Sequence, residues 1–270
     1  DYMLAEYKAG RTPNPDVSCN KDVKFGAFLK WALNRGASYV ATGHYAEITY
    51  DQQLSTLKLL KGKDVNKDQS YFLWTLKQSQ LQHVLFPVGN LKKVEVRRVA
   101  KKAGLTTANK KDSQGLCFIS NVDMKQFLKR FIMQEQGIII DENRQKIGTH
   151  EGVAFYTIGE RHGLRINSNK SNNMPFYVVS KNISKNELVA SRTPQTYFVN
   201  RQNWKLQDIN WINDGDLPLS LTAQIRYQGE YFSCVIANNQ VKFKKRILLS
   251  PGQSVVFYNN DQCLGGGVVA

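Results

Sequence analysis

Apolar residues recur along this chain with two different periods, and the change of period divides it. Tyr2-Met3-Leu4-Ala5-Glu6-Tyr7 opens in a helical pattern. Residues 11–20, Arg-Thr-Pro-Asn-Pro-Asp-Val-Ser-Cys-Asn, interrupt it. Pro13 and Pro15 fix their own backbone and restrict the residue before each, so this stretch reads as a loop that no helix crosses. A helix is expected next, with Val23, Ala27, Phe28, Trp31 and Ala32 on one face and Gly36 at its end. Ser38 to Thr42 reads as a short buried strand, with Gly43-His44 turning at its carboxyl edge. Helix formers and aromatics fill 67–86. An amphipathic helix over 91–103 uses Leu91, Val94, Val99 and Ala103, and Gly104 stops it. Ser120 and Asp123 resemble a capping box ahead of a stripe of Met124, Phe127, Leu128, Phe131 and Ile132.

Beyond about residue 137 the period shortens to two. Short strand-like runs appear at Ile138–Ile140, Phe176–Val179 and Leu188–Ala190. In 221–227, Leu221, Ala223, Ile225 and Tyr227 face one way, while Thr222, Gln224 and Arg226 face the other. Runs over 231–237, 241–249 and 253–258 repeat the pattern and predict a small C-terminal β-barrel. Helix, strand and glycine turn at the front predict an α/β sheet, whose ligands sit at the carboxyl ends of its strands.

Composition adds scale and charge. The 270 residues suit two or three domains, and 41% apolar residues supply their cores. A net charge of +15 and a pI near 9.6 point to an anionic partner, since a positive field attracts phosphates and binding releases their counterions. The competing reading is a basic surface that serves solubility alone. Four cysteines, none at C-x-x-C spacing, argue against zinc and against a disulfide scaffold. No signal peptide and no apolar run of spanning length is visible, so the chain is expected to be cytoplasmic, without membrane contact. It opens at Asp1 in a helical pattern without a methionine, and reads as the downstream part of a longer protein.

The chemistry-bearing candidates are two thiols. Cys19 lies in a Pro-Asn-Pro-Asp-x-x-Cys-Asn loop expected immediately before a helix, where dipole and unpaired amides favour thiolate, with Lys21 and Lys24 nearby. Asp16, three residues earlier, is placed to move a proton. The alternative is a packing cysteine and a capping aspartate. Cys117 lies in the polar run Lys-Lys-Asp-Ser-Gln-Gly-Leu-Cys-Phe-Ile, or is a buried cysteine before Phe118. Two loop thiols 98 residues apart could exchange sulfur. Cys234 and Cys263 read as structural. Gly43 would let a nucleotide approach the backbone, and His44 beside it is a contact or a satisfied turn histidine. Lys67-Asp68-Gln69 reads as a solvated stretch or a nucleic-acid contact. Arg226-Tyr227 pairs a phosphate-binding fork with a stacking ring, or is a plain surface pair.

Taken together these residues resemble the tRNA-specific 2-thiouridylase family. The matching stretches, in order, are Gly10 to Asp16 with Cys19-Asn20-Lys21, Ala41 to Tyr45, Lys67 to Leu73, Lys111 to Ile119, Tyr156 to Gly159, Ala223 to Tyr227, and Pro251-Gly-Gln253 with Leu264 to Gly267. The resemblance implies a partial ATP-pyrophosphatase-type α/β catalytic domain over 1–123, a small mixed central domain over 124–195 and a C-terminal β-barrel over 196–270. It implies an ATP-dependent sulfurtransferase, with Mg2+, that adenylates the C2 oxygen of the wobble uridine (position 34) of tRNA and replaces it with sulfur from a cysteine persulfide. By position Cys117 is similar to the persulfide carrier and Cys19 to the nucleophile, with a disulfide between them as the end state. Asp16 matches the acid/base group, and Asn14, Pro15 and Asp16 the lip around the target base. Gly43 matches the ATP-contacting glycine. His44, Lys67, Asp68, Gln69, Arg226, Tyr227 and Gln253 match tRNA-contacting positions. The partners implied are tRNA and a sulfur-relay protein or cysteine desulfurase; no resident metal, DNA or membrane is implied. The family's Ser-Gly-Gly-x-Asp-Ser loop lies upstream of the first matched motif and is absent from this sequence. This stretch alone is therefore expected not to adenylate, and its sheet to be incomplete. A 4-thiouridine synthase, a lysidine synthetase (which needs no catalytic thiol) and a non-catalytic RNA-binding remnant are the alternatives.

Overall fold

The computed structural model describes residues 2–110, 124–167, 174–194, 202–213, 217–218 and 221–270. The expected loop over 11–20 is cut short. A helix starts at Pro15 and runs through Pro15–Ser18, a π-helical stretch Cys19–Phe28 and Leu29–Asn34. Proline at a first helical position loses nothing, because the N–H it lacks would have no partner there. Asn14 caps the start: its Oδ1 accepts from the amides of Asp16 (3.1 Å) and Val17 (3.2 Å).

The buried face of this helix also differs from the expected one. Phe25, Leu29 and Ala32 are buried, whereas Val23, Phe28 and Trp31 are 48, 49 and 53% exposed. A π stretch widens each turn by one residue, so a stripe counted at 3.6 per turn drifts off the true contact face. Gly26 suits this geometry, since a Cβ there would stand 2.7 Å from the Lys21 carbonyl oxygen.

Behind the helix lies a short parallel pair, Val40–Ala41 with Val84–Leu85. A hairpin follows the first of these strands, Ala46–Asp51 against Thr56–Lys61. The expected helix over 91–103 forms as Lys93–Lys102, but none of its residues is buried, and Val94 and Val99 face solvent.

The central unit is a five-stranded mixed sheet. Its spatial order is Arg165–Ile166, Lys146–His150, Gly137–Ile140, Glu187–Ser191 and Tyr177–Asn182, and the third and fourth strands pair in parallel. Helix Met124–Leu128 and the segment Val153–Phe155 supply core residues to it.

The C-terminal barrel closes. Asn203–Trp211, Gln240–Phe243, Tyr231–Ala237, Leu221–Gln224, Ser254–Asn259 and Gln262–Val269 pair antiparallel in that order, and the last pairs back to the first. Leu221, Ala223 and Ile225 point inward, as their alternation predicts. Closure removes the free edges that invite aggregation. The barrel is also joined to the front of the chain. Strand Gln262–Val269 pairs with the hairpin through Gln262↔Leu60 and Cys263↔Leu59, and one core holds Phe25, Tyr71, Trp74, Val256 and Tyr258.

Trp74 is the pin of that shared core. It is 2% exposed, its Nε1 donates to Ser254 Oγ (3.2 Å), and Asn210 Nδ2 donates to its carbonyl (2.8 Å). Gly266 leaves room for the ring, because a Cβ there would come within 2.8 Å of it. Trp74→Ala is expected to cost about 3–5 kcal/mol, the range for emptying a buried aromatic site. Urea unfolding followed by circular dichroism measures this, and a loss under about 1 kcal/mol, the level of a surface change, would refute the joint core.

Candidate active site

The start of the long helix, the Lys67 to Leu73 segment and the end of one barrel strand converge. Tyr71 is buried, donates its hydroxyl to the Ser254 carbonyl (3.0 Å) and shares a side-chain hydrogen bond with Asn14. Burial pushes the Tyr71 phenol well above its ordinary value, so it stays a neutral donor. Phe72 packs against Tyr227 with ring centroids 4.4 Å apart, and Tyr71 lies 6.4 Å from the same ring. Asn20, next to Cys19, donates Nδ2 to the Phe72 carbonyl (3.3 Å). The capped helix start bearing Asn14, Pro15, Asp16 and Cys19 is thus fixed against the aromatic wall that carries Tyr227. Asp16 and Cys19 are partly exposed. Cys19 sits one turn into the helix, not ahead of it, and its amide bonds the Pro15 and Asp16 carbonyls.

A second junction lies two residues before Asn14. The Thr12 amide donates to the Pro251 carbonyl (2.9 Å), Gln253 Nε2 donates to the Thr12 carbonyl (2.7 Å), and the Thr12 and Thr157 hydroxyls lie 3.1 Å apart. One residue thereby ties the helix start to the barrel and to the central unit. Beside it is a cavity of about 340 Å³, lined by Thr157, Glu160, Arg226, Ser250 and Gln253 among others. Arg226 is exposed at its rim, so its guanidinium can take an anionic group there.

Other candidates turn inward. His44 is 7% exposed, lies between Phe25 and Phe86, and has both nitrogens engaged. Lys24 Nζ can only donate, so Nε2 at 3.4 Å accepts and Nδ1 donates to Thr42 Oγ1 at 2.7 Å. Burial, with Lys24 adding to it, pulls the imidazole down to about 3, so it is neutral. Asp68 is buried and takes the Gly62 and Ser70 amides (3.0 Å each) and the Ser70 hydroxyl (2.9 Å). Gln69 brackets Tyr45, accepting its amide at 3.1 Å and donating its own to the Tyr45 carbonyl at 2.8 Å. The His44 and Asp68 side chains are therefore buried, and Gln69, matched with them as a contacting position, is half-buried against Tyr45. Lys67 is partly exposed beside them.

Gly43 follows the parallel strand Val40–Ala41, and a Cβ added there meets no atom within 4 Å. Its bare backbone borders open space at the carboxyl end of that strand, where α/β sheets hold ligands. Cys117 lies outside the described residues. Cys234 and Cys263 are buried; burial pushes the Cys234 thiol up to about 12 and the Cys263 thiol higher, so neither supplies a thiolate. Among the described residues there is no disulfide, no cluster of three metal-ligating side chains and no helix long and apolar enough to cross a membrane. Thr12, Asn20, Tyr71 and Thr157 complete the site without having been assigned a role from sequence, although all four lie in the matched stretches. Lys24 was expected beside Cys19 and instead meets His44.

Residues 1–121 match a family model described as the tRNA methyl transferase HUP domain. Residues 125–192 match the tRNA methyl transferase PRC-barrel domain, and 201–269 the aminomethyltransferase β-barrel domain. A tRNA-specific 2-thiouridylase of Geobacillus thermodenitrificans is 44% identical over 276 residues, covering 99% of this chain and 73% of that protein. One from Nitrosococcus oceani is 43% identical over 277 residues, covering 99% and 75%. One from Streptococcus agalactiae serotype III is 44% identical over 277 residues, covering 100% and 74%.

The His44 environment makes a pH prediction. Its folded value lies below the unfolded one, so the unfolded chain alone binds a proton between about pH 6.5 and about 3. The stability this histidine contributes is complete above pH 6.5 and is lost on acidification through that window, at about 1.4 kcal/mol per pH unit. His44→Gln should unfold in urea with a shallower loss of midpoint from pH 6.5 to 4. Parallel pH curves for the two proteins would show that the imidazole is not buried neutral.

Proposed function

The chain belongs to the tRNA-specific 2-thiouridylase family, and on that premise we propose that it 2-thiolates the wobble uridine, position 34, of cytoplasmic tRNA with sulfur from a cysteine persulfide. The family models carry methyl-transfer names, but the thiouridylases match nearly the whole chain, which is the tighter comparison. The observation that carries the reading is the convergence of Asn14 to Cys19 with Tyr71, Tyr227 and Arg226. A flipped base needs a pocket bounded by polar edges and a stacking ring, with a cation for its phosphate.

In this reading Asn14 and Pro15 form the lip of the base pocket, and Asp16 holds or moves a proton at the uridine edge. Tyr227, Arg226, Gln253 and Lys67 hold the RNA around it. The open backbone at Gly43 is the fit for a nucleotide, and ATP when bound supplies the adenylyl group that makes the uridine 2-oxygen a leaving group. Mg2+ would be carried by the ATP phosphates. A sulfur-relay protein or cysteine desulfurase loads Cys117 as a persulfide. The Cys19 thiolate attacks the Cys117 sulfur, the terminal sulfur leaves as hydrosulfide, and hydrosulfide adds to the uridine C2 as AMP departs. The two thiols are oxidised to a disulfide as the sulfane sulfur is reduced, and an external dithiol restores them.

Cys19→Ser and Cys117→Ser in the full-length protein should each lower 2-thiouridine, measured by mass spectrometry of digested tRNA, by at least ~100-fold, the scale of a lost nucleophile. Binding of tRNA should stay within about twofold, because neither thiol carries phosphate contacts. Undiminished thiolation in both variants would sink the assignment, and retention in Cys117→Ser alone would favour a chemistry without a sulfur carrier.

A further inference from the structure

Positions 92–110 hold seven lysines and arginines against one acid, Glu95. The helix Lys93–Lys102 in this stretch is ten residues long, about 15 Å at the usual rise. Its cations are one-sided. At 100° per residue Lys93, Arg97, Arg98, Lys101 and Lys102 span roughly half the wheel, with the exposed Val94 among them and Glu95, Val96, Val99 and Ala100 on the other half. The single acid is occupied: Glu95 Oε2 accepts the Lys92 amide (2.7 Å) at the helix start. Lys101 and Lys102 are exposed in the last turn and form no ion pair among the described residues.

This face is tied to the site. The Lys93 amide donates to Asp64 Oδ2 (2.8 Å), and the Lys63 amide to the Gly89 carbonyl (2.9 Å), so the helix and the loop bearing Lys63 and Lys67 share anchors. At the other end of that loop Gln228 Nε2 donates to the Asn66 carbonyl (2.6 Å), which links it to the turn after Arg226-Tyr227. Cations therefore continue from the base pocket, through the loop, onto the helix.

We propose that this helix is a track for the phosphate backbone of a tRNA stem outside the anticodon stem–loop. A row of lysines and arginines with no aromatic ring among them grips phosphates without reading bases. Arg97 donates to the Lys110 carbonyl (3.3 Å) and Lys93 Nζ stands over the Tyr45 ring (5.4 Å), while Lys101 and Lys102 are turned to solvent, and RNA is the anion proposed for the neighbouring site. The inference rests on the tRNA reading above and adds to it a contact remote from the target uridine.

The test is binding by the full-length protein of two RNAs, a whole tRNA and its isolated anticodon stem–loop, across ~50 to ~200 mM salt. The variant is Arg98→Gln/Lys101→Gln/Lys102→Gln, with Lys101→Gln/Lys102→Gln as a milder form, each checked for an unchanged thermal melt. Removing three phosphate contacts should lower the salt slope for whole tRNA by roughly 2–3 and weaken binding at least ~10-fold at the higher salt. The milder variant should show about two-thirds of the slope change, and the stem–loop should bind all three proteins within about twofold. An unchanged slope and affinity for whole tRNA would overturn the track alone. Wild-type protein that binds neither RNA would overturn the tRNA reading and the track with it.

Discussion

Backbone pairing of Leu59 and Leu60 with Cys263 and Gln262 makes the front of the chain and its far end one sheet. The pairing is short, yet it closes a core to which both contribute: Phe25, Tyr71 and Trp74 from one side, Val256 and Tyr258 from the other. Every long-range feature of the site depends on it. Asn14 and Tyr71 come from the first unit, Ser254 and Tyr227 from the barrel, and Thr157 from a loop of the central unit. Side chains from three units can hold positions to hydrogen-bond tolerance only if the units do not slide. The joint core and the Thr12 anchors prevent that sliding.

Placing polar groups at such a junction has an energetic requirement, because a buried polar atom without a partner loses about 1–3 kcal/mol. The site meets most of it by using side chains as backbone clamps, although Asn20 Oδ1 and the Tyr45 hydroxyl are buried without a hydrogen-bond partner among the described residues. Asp68 is driven toward its neutral form by burial and drawn back by the amides and hydroxyl it accepts. His44 meets the same requirement by giving up its charge altogether. Its neutral ring lets Lys24, five residues along the helix from Cys19, direct a cation at an acceptor, not at another cation. The helix that carries the thiol is braced from behind by a group that does not titrate near neutral pH.

The barrel alternation, the helix near 93–102 and the family were legible because each rests on many residues whose signals add. Leu221, Ala223 and Ile225 are inward because period two admits no other face. What was not legible depended on single conformations. Pro15 reads as a helix breaker unless it stands at the first helical position, and only the Asn14 cap shows that it does. The contact face of the long helix was misread because sequence carries no clear mark of a π stretch beyond Gly26. Asp68 and Gln69 sit in a polar run that looks solvated, yet Asp68 is buried and Gln69 half-buried, each held by a partner, Gly62 or Tyr45, that the fold brings to it.

The structural use of acids bears on how the composition becomes a field. Some acids, Asp22, Glu142, Glu230 and Asp261 among them, lie exposed between the cations, but the surplus of fifteen positive charges outweighs them. Other acids are engaged locally. Asp51 takes the Gln53 and Leu54 amides and pairs with Lys58, Asp64 takes the Lys93 amide, and Glu95 caps the next helix. Asp141 takes the Asn143 and Gln145 amides of a turn, Glu160 the Thr157 amide, and Glu151 engages Lys125, Lys129 and Arg165 at once. A carboxylate fixed by backbone amides has its charge partly compensated where it stands, while a lysine with no such bond projects its charge into solvent. Acids spent on turns and caps, and cations left outward, produce a positive surface from ordinary structural needs. The resulting positive field acts on an approaching anion over about 8 Å at physiological salt.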